Sequence, residues 1–209
     1  MSPRPYRLGQ RQVAADQTRA RIIAAARELL MAGEGFSGFS IEAVARHADV
    51  ARMTVYYQFG SKVGLLEALC DSLAVSGGMA QMAGAFRRPE PLAALEEYIA
   101  VFARFWEADR LVMRRLRALA ALDPDFEQVI RARDERRHHG LRVLAGRIVE
   151  QYGHPSPDAF DETINVLFTL TSFECFDMIA GPGRSVEEVA PVVYRLARAA
   201  LGLEKGVSS

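Results

Sequence analysis

The chain has 209 residues, half of them apolar and a quarter charged, with 26 basic and 26 acidic side chains and no net charge. That balance excludes a disordered, collagen-like or low-complexity chain, and the length fits one long domain or two small ones. Its two cysteines, Cys70 and Cys175, lie far apart, so neither a disulfide framework nor a cysteine-based zinc site is expected.

Residues 1–15 are polar and basic, with Pro3 and Pro5 and no acid before Asp16, and read as a flexible arm carrying Arg4, Arg7 and Arg11. Ile22, Ala26, Leu29 and Leu30 then follow the i, i+4, i+7, i+8 spacing of one helix face, which the segment from Gly33 to Gly38 ends. Ser40 can cap a second helix, with Phe39 placed to staple onto Val44. A short break at Ala48, Asp49 and Val50 leads to a third helix carrying Val55 and Phe59. Gly60 and Ser61 end it and open a fourth, with Leu65, Leu66 and Leu69 inward.

Longer helices are expected beyond residue 70. Leu92, Leu95, Ile99, Phe102 and Trp106 form one apolar stripe, and Asp123 before Pro124 opens a helix that runs to Tyr152. Pro155, Ser156 and Pro157 precede a single helix ending near Gly181–Pro182–Gly183. Ser185 with Glu188 makes a capping box for the last helix, whose apolar face is Val186, Val189, Val193, Leu196 and Ala200. Neither strand-like alternation nor an internal repeat is visible. The expectation is an all-α chain of about nine helices. With no apolar run near the ~20 residues that span a bilayer and no secretory signal, it is expected to be cytoplasmic and without a membrane contact.

Charge is unevenly placed. Residues 1–62 hold nine basic and five acidic side chains, a local +4, and the remainder is −4. A basic amino-terminal third permits nucleic-acid binding through that end, although a solvated helical surface carries the same imbalance. The second and third helices, Ser40–His47 and Ala51–Tyr57, are separated by three residues, which forces a sharp crossing. Such a pair can hold its second helix out for a DNA major groove, and a purely structural helical hairpin explains the spacing equally well.

The residues themselves add weight. From Thr18 to Leu69 the chain resembles the DNA-binding region of TetR-type transcriptional regulators. The resemblance is carried by Phe39–Ser40–Ile41, by Val44–Ala45, and by Thr54–Val55–Tyr56–Tyr57–Gln58–Phe59 followed by Ser61–Lys62 and Leu65–Leu66. It implies a helix-turn-helix domain over residues 16–65, after the arm at 1–15, and a ligand-binding and dimerising helical domain over 66–209. It further implies that Ser40 caps its helix and touches a phosphate, and that Arg52, Met53 and Thr54 lie at the exposed start of a recognition helix. Tyr56, Tyr57 and Gln58 would end that helix against the DNA backbone, and Lys62 would sit over a phosphate at the next helix N-terminus. Three departures from the family pattern stand out. Asp49 occupies a turn position where glycine is usual, Ala51 replaces a capping serine or threonine, and Met53 replaces a small residue.

The expected function is therefore a DNA-binding regulator. It acts as a repressor on a near-palindromic double-stranded operator, dimerises through its last two helices, and is released by a small apolar or amphipathic ligand. Phe102, Phe105, Trp106, Met113, Phe126, Phe168 and Phe173 are the candidate ligand-binding residues, with Arg110, Arg114, His138, Asn165 and Glu174 as candidate orienting groups. The arm arginines are candidates for minor-groove contacts. No catalytic residue, metal or cofactor is expected. Asp134 and His138 have the i, i+4 spacing of a weak metal or acid–base pair, but a solvated charged face accounts for them more simply. A bundle metal oxidase needs Glu-x-x-His on two facing helices, which the sequence does not offer. The remaining alternative is a helical ligand-carrying or protein-interaction module without specific DNA binding.

Overall fold

Eleven α-helices and three short 3-10 turns make up the described residues, 4–32 and 39–203, of the computed structural model, and no strand occurs among them. The helices are α1 (Arg4–Ala32), α2 (Ile41–His47), α3 (Arg52–Phe59), α4 (Lys62–Ser76), α5 (Met82–Arg87) and α6 (Pro91–Ala108). They continue with α7 (Arg110–Ala120), α8 (Pro124–Tyr152), α9 (Phe160–Leu170), α10 (Phe173–Ala180) and α11 (Ala190–Ala200). No single helix among the described residues is long and apolar enough to cross a membrane.

The expected arm at 1–15 is corrected, because α1 begins at Arg4. Residues 10–32 contain neither proline nor any glycine, and Pro5 falls in the first turn, where an N–H has no intrahelical partner to lose. The side chains of Arg4, Arg7 and Arg11 and the expected break from Gly33 to Gly38 lie outside the described residues.

The chain divides into two units, and the division does not follow the expected boundary at 65/66. One comprises Met1–Ser72 with Arg114–Glu127, the other Leu73–Met113 with Gln128–Ser209. In the first, Ile22, Ala26 and Leu30 of α1, Ile41, Val44 and Ala45 of α2, Val55 of α3 and Leu65, Leu66 and Leu69 of α4 are buried, as are Leu116 and Phe126. Each large aliphatic chain so buried contributes about 1.5–3 kcal/mol.

In the second unit a line of rings runs along α6. Phe86 meets Tyr98 edge-on at 5.9 Å between centroids, Tyr98 meets Phe102 at 5.0 Å, and Phe102 meets Trp106 at 5.6 Å. Trp106 in turn meets Phe173 of α10 at 5.7 Å. Gly140 of α8 allows that close packing: a Cβ there would lie 3.1–3.3 Å from the Phe86 and Tyr98 side chains. The Tyr98 hydroxyl donates to the Arg137 carbonyl at 2.8 Å, and burial pushes its pKa up against the pull of the Arg137 charge.

The single helix expected after Pro157 is two helices, α9 and α10, broken at Thr171 and Ser172. Ser172 Oγ accepts from the Cys175 N–H at 3.2 Å and starts α10. The carbonyls around the break are taken by side chains: Phe168 O by Arg137 Nη1, and Thr171 O by Trp106 Nε1 at 3.2 Å. Arg137 also donates to Thr171 Oγ1 at 2.9 Å and lies 3.3 Å from Asp134, with its guanidinium 3.9 Å over the Phe168 ring. The side chain is only 3% exposed. The predicted capping box is present, with Ser185 N–H on Glu188 Oε2 at 3.1 Å and Glu188 N–H on Ser185 Oγ at 3.2 Å. It opens a 3-10 turn that runs into α11.

Arg137→Met keeps the bulk but removes every one of those donors from a buried site. Thermal or urea unfolding is expected to lose about 2–4 kcal/mol, with altered Trp106 emission; a loss below about 0.5 kcal/mol would mean that the helix break does not need the arginine.

Candidate nucleic-acid interface

The first unit holds α3 by its two ends. At the near end, α2 starts with the Ser40 cap, whose Oγ accepts the Ala43 N–H at 3.1 Å, and both Phe39 and Val44 are buried. It stops with a six-residue closing pattern: Val50 N–H donates to Ala45 O at 3.0 Å and Asp49 N–H to Arg46 O at 3.3 Å. This paired bonding is the Schellman motif, which requires a left-handed residue at Asp49. Asp49 has φ +51°, the one positive φ at a non-glycine among the described residues. α3 then begins at Arg52, after Ala51, which is extended and supplies no side-chain cap. Thus the two departures read from the sequence at this turn both have structural consequences.

At the far end Gly60 takes φ +74° and returns its N–H to Tyr56 O at 2.8 Å. Ser61 caps α4 by accepting the Gly64 N–H at 3.0 Å. Gly64 itself is a close approach, since a Cβ built on it would lie 2.1 Å from the Phe59 carbonyl oxygen. From α1, Arg19 Nη1 donates to Gln58 O at 2.8 Å while its guanidinium lies 4.4 Å from the Phe59 ring centre. A second tie joins α1 to α2, where His47 Nε2 lies 2.7 Å from Glu28 Oε2.

Between these ends, one side of α3 is buried through Val55 and the other is open. Met53 is 71% and Tyr57 88% exposed, and Arg52 is exposed beside them. Thr54, Tyr56 and Gln58 are half-buried. Lys62, the first residue of α4, has Nζ 4.0 Å from Asp123 Oδ2 and 5.9 Å from the Phe39 ring centre. Arg52 lies 2.9 Å from Glu42. The Tyr56 hydroxyl, followed by the Glu42 charge, holds its pKa above the ordinary arginine value.

A short helix pair with a fixed turn, presenting an exposed face of arginine, methionine and tyrosine, is the shape of a helix-turn-helix reader. Residues 22–69 match the family model described as bacterial regulatory proteins, tetR family. The fold is TetR-like. Among solved structures, NalD, the secondary repressor of the MexAB-OprM multidrug efflux pump in Pseudomonas aeruginosa, superposes with a TM-score of 0.69 at 18% identity. That alignment covers 90% of this chain and 97% of NalD. The TetR-family regulator PfmR from Thermus thermophilus gives 0.66 at 23% identity, over 88% of this chain and 99% of PfmR. A TetR-like regulator from a Rhodococcus species gives 0.65 at 21%, covering 88% and 96%. No curated protein sequence matches the chain.

Within the TetR-like fold the eight candidate DNA-binding residues lie on α3 or at the starts of α2 and α4. The seven candidate ligand residues do not all come together. Phe102, Phe105, Trp106 and Phe173 form one ring cluster in the second unit, with Phe168 joined to Phe102 through Arg137. Phe126 belongs to the first unit and is fully buried there. Arg110 is engaged elsewhere, since it pairs with Asp177 and donates to the carbonyls of Gly181 and Arg184. Asp134 lies against Arg137, while His138 Nε2 is 3.4 Å from Asn165 Oδ1.

Arg19, Glu42 and Gly64 escaped the sequence reading. Arg19 and Glu42 act across 39 and 10 positions, where no local pattern marks a partner. Gly64 did leave a signal, a glycine in the first turn of an otherwise leucine-rich helix.

Opposite stability effects are expected at two of these backbone positions. Asp49→Gly should raise the unfolding free energy by roughly 1 kcal/mol by relieving the left-handed aspartate. Gly64→Ala should lower it by about 2 kcal/mol or more, because a backbone oxygen must move. Equal melting temperatures for the three proteins would contradict the turn geometry.

Proposed function

We propose that this protein is a transcriptional regulator that binds a near-palindromic double-stranded DNA operator as a homodimer. In this reading it is a repressor, and a small apolar or amphipathic ligand releases it. The observation that carries the reading is the exposed face of α3, with Arg52, Met53 and Tyr57 outward, in the segment that matches the tetR family. Tyrosine, threonine and lysine donate to phosphate oxygens, while arginine also reads guanine. Ser40, Thr54, Tyr57, Gln58 and Lys62 take the phosphate contacts, and the +4 charge of residues 1–62 draws the duplex to this end.

Dimerisation through the last helices is supported by apolar side chains left in water there. Val166 of α9, Met178 of α10 and Leu196 of α11 are all exposed, and a helix with apolar residues on more than one side is covered twice, by its own core and by a partner. Two-fold pairing implies half-sites about one helical turn apart or a multiple of it. The repressor reading follows the similarity to NalD, described as a repressor. For the ligand, the candidate residues are Phe102, Phe105, Trp106, Met113, Phe168 and Phe173, apolar side chains of the second unit whose chemistry suits an apolar molecule.

A random-sequence duplex pool tests the DNA assignment. Wild type is expected to select a near-palindrome, and Lys62→Ala to weaken all duplexes alike while reducing the log–log salt slope by about one unit. Failure to bind any duplex would favour a ligand-carrying or interaction module instead.

The effector is tested through Trp106, the one tryptophan of the chain. Apolar candidates that change its emission should also weaken operator binding, a tenfold effect requiring about 1.4 kcal/mol of preference for the non-binding state. A tight ligand that leaves operator affinity unchanged rules out release by that ligand, and a monomer mass in light scattering at micromolar concentration rules out the dimer.

A further inference from the structure

Arg52 is held by two helices at once. Its Nε lies 2.9 Å from Glu42 Oε1 on α2, its Nη2 donates to the Tyr56 hydroxyl one turn along α3 at 3.2 Å, and its guanidinium carbon stands 5.3 Å from the Tyr56 ring centre. These contacts fix a side chain that carries about 2 kcal/mol of rotamer entropy when free. Yet the Arg52 and Glu42 side chains are 57% and 52% exposed, and exposed pairs of this kind add only about 0–1 kcal/mol to stability. Stability is thus a weak reason for the arrangement.

The chemistry of the neighbour separates the two roles an arginine can have on DNA. A carboxylate beside a phosphate-binding arginine is unfavourable, because it cancels the attracting charge and repels the backbone. Beside a base-reading arginine it is useful, because reading guanine depends on aiming two parallel N–H donors at O6 and N7. We propose that Glu42 and Tyr56 are positioning residues that aim Arg52 at a guanine in the major groove, which makes Glu42 a determinant of sequence specificity. With Nε turned to Glu42 and one Nη2 proton to Tyr56, Nη1 and the second Nη2 proton supply the donor pair. This rests on the reading of the chain as a DNA-binding regulator, and it assigns Tyr56 to Arg52 rather than to the DNA backbone.

The test starts from the duplex that wild type selects from a random pool, together with versions changed at each guanine and an unrelated duplex of equal length. Wild type is expected to prefer one guanine per half-site, and Arg52→Ala to lose that preference. Glu42→Gln, which keeps an acceptor but removes the charge from the bond, and Tyr56→Phe, which removes the acceptor, are each expected to reduce it about two- to tenfold. Affinity for the unrelated duplex should stay level or rise for Glu42→Gln, since a negative charge has left the DNA side. In the Arg52→Ala background neither second change should alter discrimination further. Melting curves of the variants should overlay that of wild type, because the pairs they break are exposed to solvent. If Glu42→Gln keeps wild-type discrimination, or tightens specific and unrelated duplexes equally, Glu42 does not position Arg52 and the proposal fails while the DNA-binding reading stands. If wild type binds no duplex, both fail.

Discussion

Short helices end in carbonyls that nothing inside the helix can satisfy, and in this protein arginines from distant sequence satisfy them. Arg19 of α1 donates to Gln58 O at the end of α3. Arg147 of α8 donates to the carbonyls of Phe86, Arg88 and Pro89 at the end of α5. Arg137 takes Phe168 O near the end of α9, and Arg110 takes Asp177 O and Gly181 O at the end of α10. The helices concerned have eight, six, eleven and eight residues, below the length at which a helix is stable alone. A cation at a helix C-terminus also meets the negative end of the dipole, so each contact acts as hydrogen bond and charge pairing together.

α3 shows why this matters for the site. Only Val55 among its residues is fully buried, so packing alone does not fix its direction. Its near end is set by the left-handed turn at Asp49 and its far end by Gly60, by Gly64 under the Phe59 carbonyl, and by Arg19 on Gln58. The exposed side chains of Arg52, Met53 and Tyr57 take their positions from these four constraints, none of which they make themselves. In the second unit Arg137 performs the same service for α9 while its guanidinium stacks on Phe168, and the Trp106 ring closes the adjoining carbonyl of Thr171. The apolar cluster there is therefore organised around polar atoms of the main chain.

What was legible in the sequence is what acts over a few residues. The Ser40 cap, the Asp123 cap, whose Oδ1 accepts the Phe126 N–H at 3.2 Å, and the Ser185–Glu188 box are each contained within four positions, and all are present. The apolar stripes of α4 and α6 are likewise local, and apart from the half-buried Leu92 they are buried. Polarity over residues 4–15 reads as flexibility, yet a span rich in alanine, glutamine and arginine has good helix propensity, and α1 starts at Arg4. The break between α9 and α10 is hidden in the sequence for the opposite reason. Apolar periodicity continues through Thr171 and Ser172, and what stops the helix comes from Arg137 and Trp106, 34 and 65 positions away. Nothing local in the sequence marks the unit in which Phe126 packs, because that follows from contacts distant along the chain.

The local rules fail most densely between Asp49 and Tyr57. Within those nine positions an aspartate takes a backbone conformation that suits glycine, a helix starts without a cap, and a methionine and a tyrosine stand largely in water. Each is unfavourable for the isolated fold: the turn by roughly 1 kcal/mol and the missing cap by about 0.5–2 kcal/mol. Elsewhere in the first unit Ser40 and Ser61 cap their helices and the leucines of α4 point inward, while Val13, Met31 and Leu122 are also exposed. Sequences that otherwise obey local preferences give them up where an external partner supplies the compensation. In the proposed DNA complex, the exposed arginine, methionine and tyrosine meet phosphate oxygens, base edges and apolar sugar or methyl surface side by side. Duplex DNA presents all three in one groove.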